Sequence, residues 1–145
     1  MLSCFFGKVF EVGEAPSKKT MPMHPKILLV DDNEDLLLIT QIILKGQGYE
    51  LVLARTIDEA VQKIKIHNPV LILLDVFICN EDGRQFCSRL KREVDTHNIR
   101  VILMSGDDLS SEAQRIADDF LPKPFDYEEL IEKVHRQMEE AAVYS

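Results

Sequence analysis

The sequence predicts an α/β fold in which a five-stranded parallel sheet carries helices on both faces. Short continuous apolar runs alternate with segments of helical periodicity from Lys26 onward, and the pair recurs five times. Continuous apolar runs suit strands that are buried on both faces. Strands separated by helices run parallel, with right-handed crossovers that place helices on the two sides of the sheet.

The first two strand–helix pairs follow directly from this alternation. Ile27–Val30 is an apolar run closed by two aspartates, and residues 34–46 carry an amphipathic pattern that glycines end. Tyr49–Ala54 is the second predicted strand, and either Thr56 or Asp58 is able to cap the helix that follows it.

The third strand has the strongest signal, because Val70–Leu74 is an unbroken apolar run that ends on Asp75. A loop containing Gly83 then leads to a helix predicted to hold Phe86, Leu90 and Val94. The remaining elements are a strand, a helix, a short strand and a last helix: Val101–Met104, residues 110–117, Phe120–Leu121 and Tyr127 to about Glu140.

The charge and composition of the chain disfavour nucleic acid and membranes as binding partners. The net charge is −8, which disfavours nucleic acid as a direct partner because phosphate binding needs a basic face. No apolar run approaches the roughly 20 residues that span a bilayer, so no membrane association is expected. The three cysteines, Cys4, Cys79 and Cys87, form no Cys-x-x-Cys pair, which favours a reducing, cytoplasmic compartment over a disulfide scaffold.

Three segments of the chain differ in composition and periodicity. Residues 1–25 combine glycines, prolines and a Ser-Lys-Lys run with no sustained period, and are predicted to form an N-terminal extension. Residues 26–141 hold the repeating pattern and form the predicted domain. Residues 142–145 are predicted to be a C-terminal tail. No output domain is recognised after the last helix, which leaves a free-standing domain and a part of a longer chain as open alternatives.

Polar residues at strand ends form the candidate site, because ligands of open α/β sheets bind outside the carboxyl ends of the strands. Those residues are Asp31, Asp32, Asp75, Ser105 and Lys123. Three converging carboxylates repel one another, and a hard divalent cation such as Mg²⁺ relieves that repulsion. With a lysine and a hydroxyl to support phosphoryl oxygens, Asp75 suits the role of nucleophile.

Each of these residues, taken alone, has a plainer explanation. Asp31 or Asp32 could cap the helix that follows, Asp75 could cap a turn, and Lys123 could be a solvated surface lysine. Taken together, they are residues of the required types at the ends of four predicted strands, and the joint pattern favours the site.

Residues 26–140 resemble the receiver domain of two-component response regulators. The matching motifs are Ile-Leu-Leu-Val-Asp-Asp at 27–32, Leu-Leu-Asp at 73–75, Asp82-Gly83, Ser105-Gly106 and Lys123-Pro124-Phe125. The resemblance implies a flavodoxin-like, doubly wound fold of five βα units with strand order 2-1-3-4-5. It also implies the phosphoacceptor and the Mg²⁺ ligands: the acceptor Asp75, which would hold the ion together with Asp31, Asp32 and the backbone carbonyl of Phe77.

The resemblance assigns roles to the remaining site residues. Ser105 corresponds to the switch hydroxyl of the family, Lys123 to its invariant lysine, and Phe120 to its switch aromatic residue. The family also carries a cis peptide bond before its proline, which falls here between Lys123 and Pro124.

The resemblance implies a signalling phosphoacceptor that catalyses only its own phosphorylation and dephosphorylation. A histidine kinase or a histidine phosphotransfer protein would donate the phosphoryl group. The surface formed by the fourth helix, the fifth strand and the last helix would then change its affinity for a downstream effector. Phosphorylation-dependent dimerisation is a further expectation.

Three regions depart from the family's pattern. The segment from Ser105 to Lys123 is about one helical turn shorter than usual, and Ala117-Asp118-Asp119 replaces the usual Gly-Ala. We therefore expect a short fourth helix, with either atypical partner binding or a weakened switch. Phe77 stands where many members are polar, and either shields the acyl phosphate from water or packs on its loop. Cys79 is interpreted as a small apolar filler.

Two other classes of function remain as alternatives. A phosphorylation-independent interaction module with the same fold is disfavoured because all five site residues are present. An aspartyl phosphatase of the haloacid-dehalogenase type requires Asp-x-Asp, whereas this chain has Asp75-Val76-Phe77. A flavodoxin-like FMN protein requires a Ser/Thr/Gly-rich phosphate loop, whereas the acidic residues at 31–34 repel a phosphate in the absence of a metal.

Overall fold

A computed structural model of the protein describes residues 24–106 and 110–144. Its strands, in chain order, are β1 (Lys26–Val30), β2 (Glu50–Ala54), β3 (Leu71–Asp75), β4 (Phe77–Ile78), β5 (Glu81–Asp82), β6 (Arg100–Ser105) and β7 (Asp119–Pro122). Five of them form one parallel sheet in the order β2-β1-β3-β6-β7. Counting only these five strands, the order is 2-1-3-4-5, which confirms the predicted fold class.

Five helices accompany the sheet: α1 (Glu34–Lys45), α2 (Ile57–His67), α3 (Gly83–Arg92), α4 (Ser110–Ile116) and α5 (Tyr127–Tyr144). Two separate apolar clusters cover the two faces of the sheet. One joins the strands to α2 and α3, and the other joins them to α1 and α5. β3 is buried along its whole length, as its unbroken apolar run predicted. In the described part of the chain, no helix is long and apolar enough to cross a membrane.

Side chains before α1 and α2 satisfy backbone N–H groups that have no partner inside the helix. Asn33 accepts a hydrogen bond from the N–H of Leu36 at 3.1 Å, so neither of the preceding aspartates is the cap of α1. Thr56 caps α2 by accepting from the N–H of Glu59 at 3.0 Å. Of the two predicted candidates for that position, the threonine is therefore correct.

The predicted third helix was wrong at both ends. Gly83 is the first residue of α3 and not part of the preceding loop. Val94 lies beyond the helix and is 85% exposed, because the chain becomes extended at Glu93. The hydroxyl of Thr96 donates to the carbonyl of Leu90 at 2.7 Å, which satisfies a carbonyl group of the last turn without a further helical residue.

Strands β4 and β5 form a short antiparallel hairpin that the sequence pattern did not predict. The two residues of its turn, Cys79 and Asn80, have φ values of 50° and 67°. Two successive positive φ values are typical of a type I′ turn, which matches the twist of hairpin strands. The hairpin directly follows Asp75 and lies between β3 and α3.

The last helix continues to Tyr144, past its predicted end near Glu140, because Met138 and Ala141 are buried against the domain. Residues 142–144 are therefore helical, although they were expected to belong to a tail. Helix α4 is described from Ser110 to Ile116. Because residues 107–109 lie outside the described part of the chain, the short fourth helix stays a prediction. Residues 1–23 of the predicted extension lie outside the described residues, and the division into three segments stays a prediction.

Candidate functional site

Three carboxylates meet at the carboxyl edge of the sheet because β1 and β3 are neighbours. Val30 pairs with Leu74, so Asp31 and Asp75 follow at the same level of the two strands. One oxygen atom from each of Asp31, Asp32 and Asp75 lies within 4.8 Å of the others. The side chains of Asp31 and Asp75 are buried, whereas that of Asp32 is exposed. The predicted convergence of these three residues is therefore present.

Backbone N–H groups orient two of the carboxylates. The N–H of Asn33 donates to Asp31 Oδ1 at 3.0 Å, within the loop that leads into α1. The N–H of Cys79, in the turn of the hairpin, donates to Asp32 Oδ2 at 3.0 Å. Sequence reasoning missed the second contact, because a cysteine in a left-handed backbone conformation has no distinctive pattern. The hairpin turn thus holds one side of the acidic cluster.

Lys123 supplies the cation that contacts this cluster. It follows β7, and its N–H donates to the carbonyl of Ser105 at 2.7 Å, which joins the ends of two neighbouring strands. The Nζ atom of Lys123 lies 3.0 Å from Asp31 Oδ2 and 3.3 Å from Asp75 Oδ1. The peptide bond between Lys123 and Pro124 is cis, as the resemblance implied.

Asp75 carries the electrostatic consequence of this arrangement. The pKa of Asp75 is raised to about 6, first by burial and then by the negative charge of Asp31, while the charge and hydrogen bond of Lys123 oppose the shift. One ammonium group does not balance three carboxylates. The cluster has the oxygen donors and the excess negative charge that suit a divalent cation such as Mg²⁺.

A glycine allows the hairpin and α3 to approach β3 closely. A Cβ atom added at Gly83 would lie 2.1 Å from the backbone carbonyl oxygen of Asp75 and 3.2 Å from that of Val76. The N–H of Gly83 also donates to the carbonyl of Val76 at 2.6 Å. Position 83 therefore accommodates only hydrogen on its α-carbon without displacement of the backbone around Asp75.

The remaining predicted residues occupy the neighbouring strands. Ser105 is buried at the end of β6, next to β3, whose last residue Asp75 pairs with Met104. Phe120 is half-buried on β7 and packs at the border of the apolar cluster that contains α3. The side chain of Phe77 is 54% exposed on β4. The fold thus gathers the carboxylates and the lysine directly, with the hydroxyl on an adjacent strand.

The comparisons with known proteins agree with this geometry. Residues 27–135 match the family of the response regulator receiver domain, which is most of the chain. The chain belongs to this family. Its place in two-component signal transduction, predicted from the motifs at the strand ends, is thereby confirmed, as is the five-stranded receiver fold.

Two curated relatives of the receiver domain are transcriptional regulators. The alkaline phosphatase synthesis transcriptional regulatory protein PhoP of Bacillus subtilis is 31% identical over 114 residues, which is 77% of this chain and 48% of PhoP. The phosphate regulon transcriptional regulatory protein PhoB of Rhizobium meliloti is 30% identical over 123 residues, which is 82% of this chain and 54% of PhoB. The chain spans about half the length of these curated relatives.

A solved structure shows the same fold. A putative response regulator from Chloroflexus aurantiacus superposes with a TM-score of 0.74 at 28% sequence identity, and the match covers 80% of this chain and 98% of that one. Nearly the whole of that solved chain thus corresponds to the sheet and helices described above.

Proposed function

We propose that this receiver domain accepts a phosphoryl group on Asp75 from a phosphorylated histidine of a partner protein. The observation that supports the proposal is the placement of Asp75 beside Asp31, Asp32 and Lys123, with a carboxylate oxygen 3.3 Å from the lysine nitrogen. The donor would be a histidine kinase or a histidine phosphotransfer protein.

The acidic cluster would hold Mg²⁺ through Asp31, Asp32, Asp75 and the backbone carbonyl of Phe77. When bound, the ion neutralises charge on the phosphoryl oxygens and so lets an anionic carboxylate approach them. A carboxylate oxygen of Asp75 forms the new bond to phosphorus as the bond to the donor's imidazole nitrogen breaks. Lys123 then contacts a phosphoryl oxygen with its charge, and the hydroxyl of Ser105 donates a hydrogen bond to another.

The switch would pass from Ser105 to Phe120. Ser105 moves toward the acyl phosphate, and the half-buried ring of Phe120 rotates into the space that opens beside β6. The surface of α4, β7 and α5 then changes its affinity for a downstream effector, and dimerisation through phosphorylation is one form this change could take. The domain would catalyse no reaction other than its own phosphorylation and dephosphorylation.

An apolar surface beside the site suits a phosphodonor. Helix α1 starts directly after the acidic loop, and three of its aliphatic side chains are exposed: Leu38 at 55%, Ile39 at 44% and Ile42 at 63%. Adjacent exposed aliphatic residues indicate a contact surface for another protein. Neither direct nucleic-acid binding nor membrane association is part of the proposal, and the cytoplasmic compartment stays a prediction.

The proposal is tested by incubation with acetyl phosphate and Mg²⁺, followed by measurement of the intact mass. The wild type is expected to gain one phosphoryl group that is stable in acid and labile in base, and Asp75→Asn is expected to gain none. Asp35→Asn, an acidic residue in the first turn of α1, is the matched control and should label as the wild type does. If no phosphodonor labels the wild type, the interaction-module alternative replaces this proposal.

A further inference from the structure

Helix α3 carries a basic surface on a chain whose net charge is −8. Together with α4 it presents five cationic side chains: Arg84, Arg89, Lys91, Arg92 and Arg115. We propose that the groove along α3 and α4, called the basic groove below, docks an acidic segment of a partner protein. The proposal concerns a surface outside the phosphoacceptor site and holds whether or not Asp75 is phosphorylated.

The basic groove is a continuous concave surface. A depression of about 840 Å³ runs from the β4–β5 hairpin along α3 to Ile116 of α4. A second depression of about 450 Å³ continues it and shares Ser88, Arg92 and Ile116 with the first. Arg89 and Arg92 line the first depression, and Arg115 lines the second. The three guanidinium-bearing residues therefore belong to one surface.

The two helices that form the groove are fixed to each other beneath it. The buried thiol of Cys87 donates to the carbonyl of Ile116 at 3.2 Å. Burial raises the pKa of Cys87 to about 12, so this group stays a protonated donor in the usual pH range. The floor of the groove is thus part of the packed core.

The basic residues of the surface fall into two groups. Arg84 forms hydrogen bonds with Asp82 at 2.8 and 2.9 Å, and Lys91 pairs with Asp118. Arg89, Arg92 and Arg115 form no ion pair with any carboxylate whose side chain the structure describes. The described lining of the groove also holds Glu81, Asp82 and Asp118, so its five cationic side chains leave it a net positive charge.

The chemistry of the groove selects an acidic peptide over nucleic acid. Arginine binds carboxylates in a planar, bidentate geometry, and Arg89 lies 5.2 Å from the centre of the Phe86 ring, which holds its guanidinium over an apolar surface. Ile57, Phe86 and Ile116 add apolar lining for an aliphatic side chain. Glu81 lies at the hairpin end and repels a continuous phosphate backbone, as does the net charge of the chain.

The experiment is an NMR titration of the unphosphorylated, ¹⁵N-labelled protein with a synthetic peptide of alternating glutamate and leucine. Amide signals of α3 and of Ile116 are expected to shift. Arg92→Glu should weaken binding about fivefold or more, because a favourable charge contact becomes a repulsive one. The matched control is Lys45→Glu, since Lys45 is also exposed in the last turn of its helix but lies on α1.

Two further measurements test the proposal: binding of an oligonucleotide and the effect of salt. A single-stranded oligonucleotide of the same charge should bind more weakly than the peptide, and raised salt should weaken both interactions. The proposal is overturned if the peptide shifts no signals or shifts signals elsewhere, if Lys45→Glu weakens binding as much as Arg92→Glu, or if the oligonucleotide binds more tightly. Because no phosphodonor is present, failure here leaves the assignment of Asp75 untouched.

Discussion

Acidic and basic side chains meet at both edges of the sheet, but they balance at the amino edge and leave an excess of negative charge at the carboxyl edge. At the carboxyl edge, Asp31, Asp32 and Asp75 share the ammonium group of Lys123. At the amino edge, the single carboxylate of Asp118 contacts both Lys91 and Arg100. It also accepts a hydrogen bond from the N–H of Val101 at 2.8 Å.

This difference distinguishes an edge whose charges are paired within the protein from an edge whose excess carboxylates suit a divalent cation. The network at the amino edge extends to α5, because Arg100 donates to Gln137 at 2.8 Å and to Glu140 at 2.6 Å. It therefore joins α3, β6, β7 and α5 by satisfied polar contacts. At the carboxyl edge the negative charge exceeds what the protein neutralises, and burial together with the charge of Asp31 raises the pKa of Asp75.

The largest effect is expected at the amino edge. Asp118→Ala leaves Lys91 and Arg100 without this partner in a largely buried position, and should lower the free energy of unfolding by about 2–3 kcal/mol. Urea denaturation measures the change. The neighbouring variant Asp119→Ala is the matched control. Both side chains are 17% exposed, but one partner of Asp119, Arg136, is itself 52% exposed.

For Asp119→Ala a loss of about 1 kcal/mol is expected. If the two variants lose equal stability, the polar network of the amino edge contributes no more than an ordinary surface ion pair. The amino edge would then have no special role in stabilising the fold, and only the excess negative charge of the carboxyl edge would distinguish the two edges.

A change of the opposite sign is expected at the carboxyl edge. Without divalent cations at pH 7.5, Asp75→Asn should raise the free energy of unfolding by about 1–2 kcal/mol, because it removes a carboxylate whose charged form is disfavoured in the fold. The amide keeps nearly the same shape. Urea denaturation in the presence of a chelator measures this gain.

The pH dependence identifies the cause of that gain. The folded-state pKa of Asp75 is about 6 against 3.8 for an ordinary aspartate, so the folded state binds the proton more tightly than the unfolded state. The cost of the charged form is therefore fully present above about pH 6 and disappears as the pH falls toward 4. The stability difference between Asp75→Asn and the wild type should shrink over the same interval. If the stability difference stayed constant between about pH 6 and pH 4, the gain would come from packing and not from the removed charge.

The smallest effect is expected at Phe77, two residues after Asp75. Its ring is 54% exposed on β4, and the hypothesis under test is that it limits the access of water to an acyl phosphate on Asp75. Phe77→Asn should speed the loss of phosphate from the labelled protein a few-fold, while the exposed residue Val94, changed to Asn, serves as a control. Equal rates in the wild type and Phe77→Asn would remove the shielding hypothesis.

Much of this architecture follows from local sequence patterns. The apolar runs predicted the five strands of the sheet. Because Asp75 and Lys123 stand at the ends of two of these runs, the sequence also predicted that they lie at the same edge of the sheet. The features that the sequence did not predict depend on contacts between distant segments. Val94 falls outside α3 because Thr96 satisfies the helix end, and Asp118 has a structural role only because α3 and β6 bring cations to it. The hairpin was missed because Cys79 adopts a backbone conformation more typical of asparagine or glycine.

The contact at Gly83 has a mechanical consequence for the whole α3 side of the domain. The carbonyl oxygen of Asp75 occupies the space where a Cβ atom at position 83 would lie, so α3 approaches β3 more closely than any side chain at that position would allow. Phe86 and Cys87, one turn along the helix, pack into the core at the depth that this spacing allows. A displacement of the backbone at Asp75 therefore acts directly on the first residue of α3, with no side chain between them to absorb it.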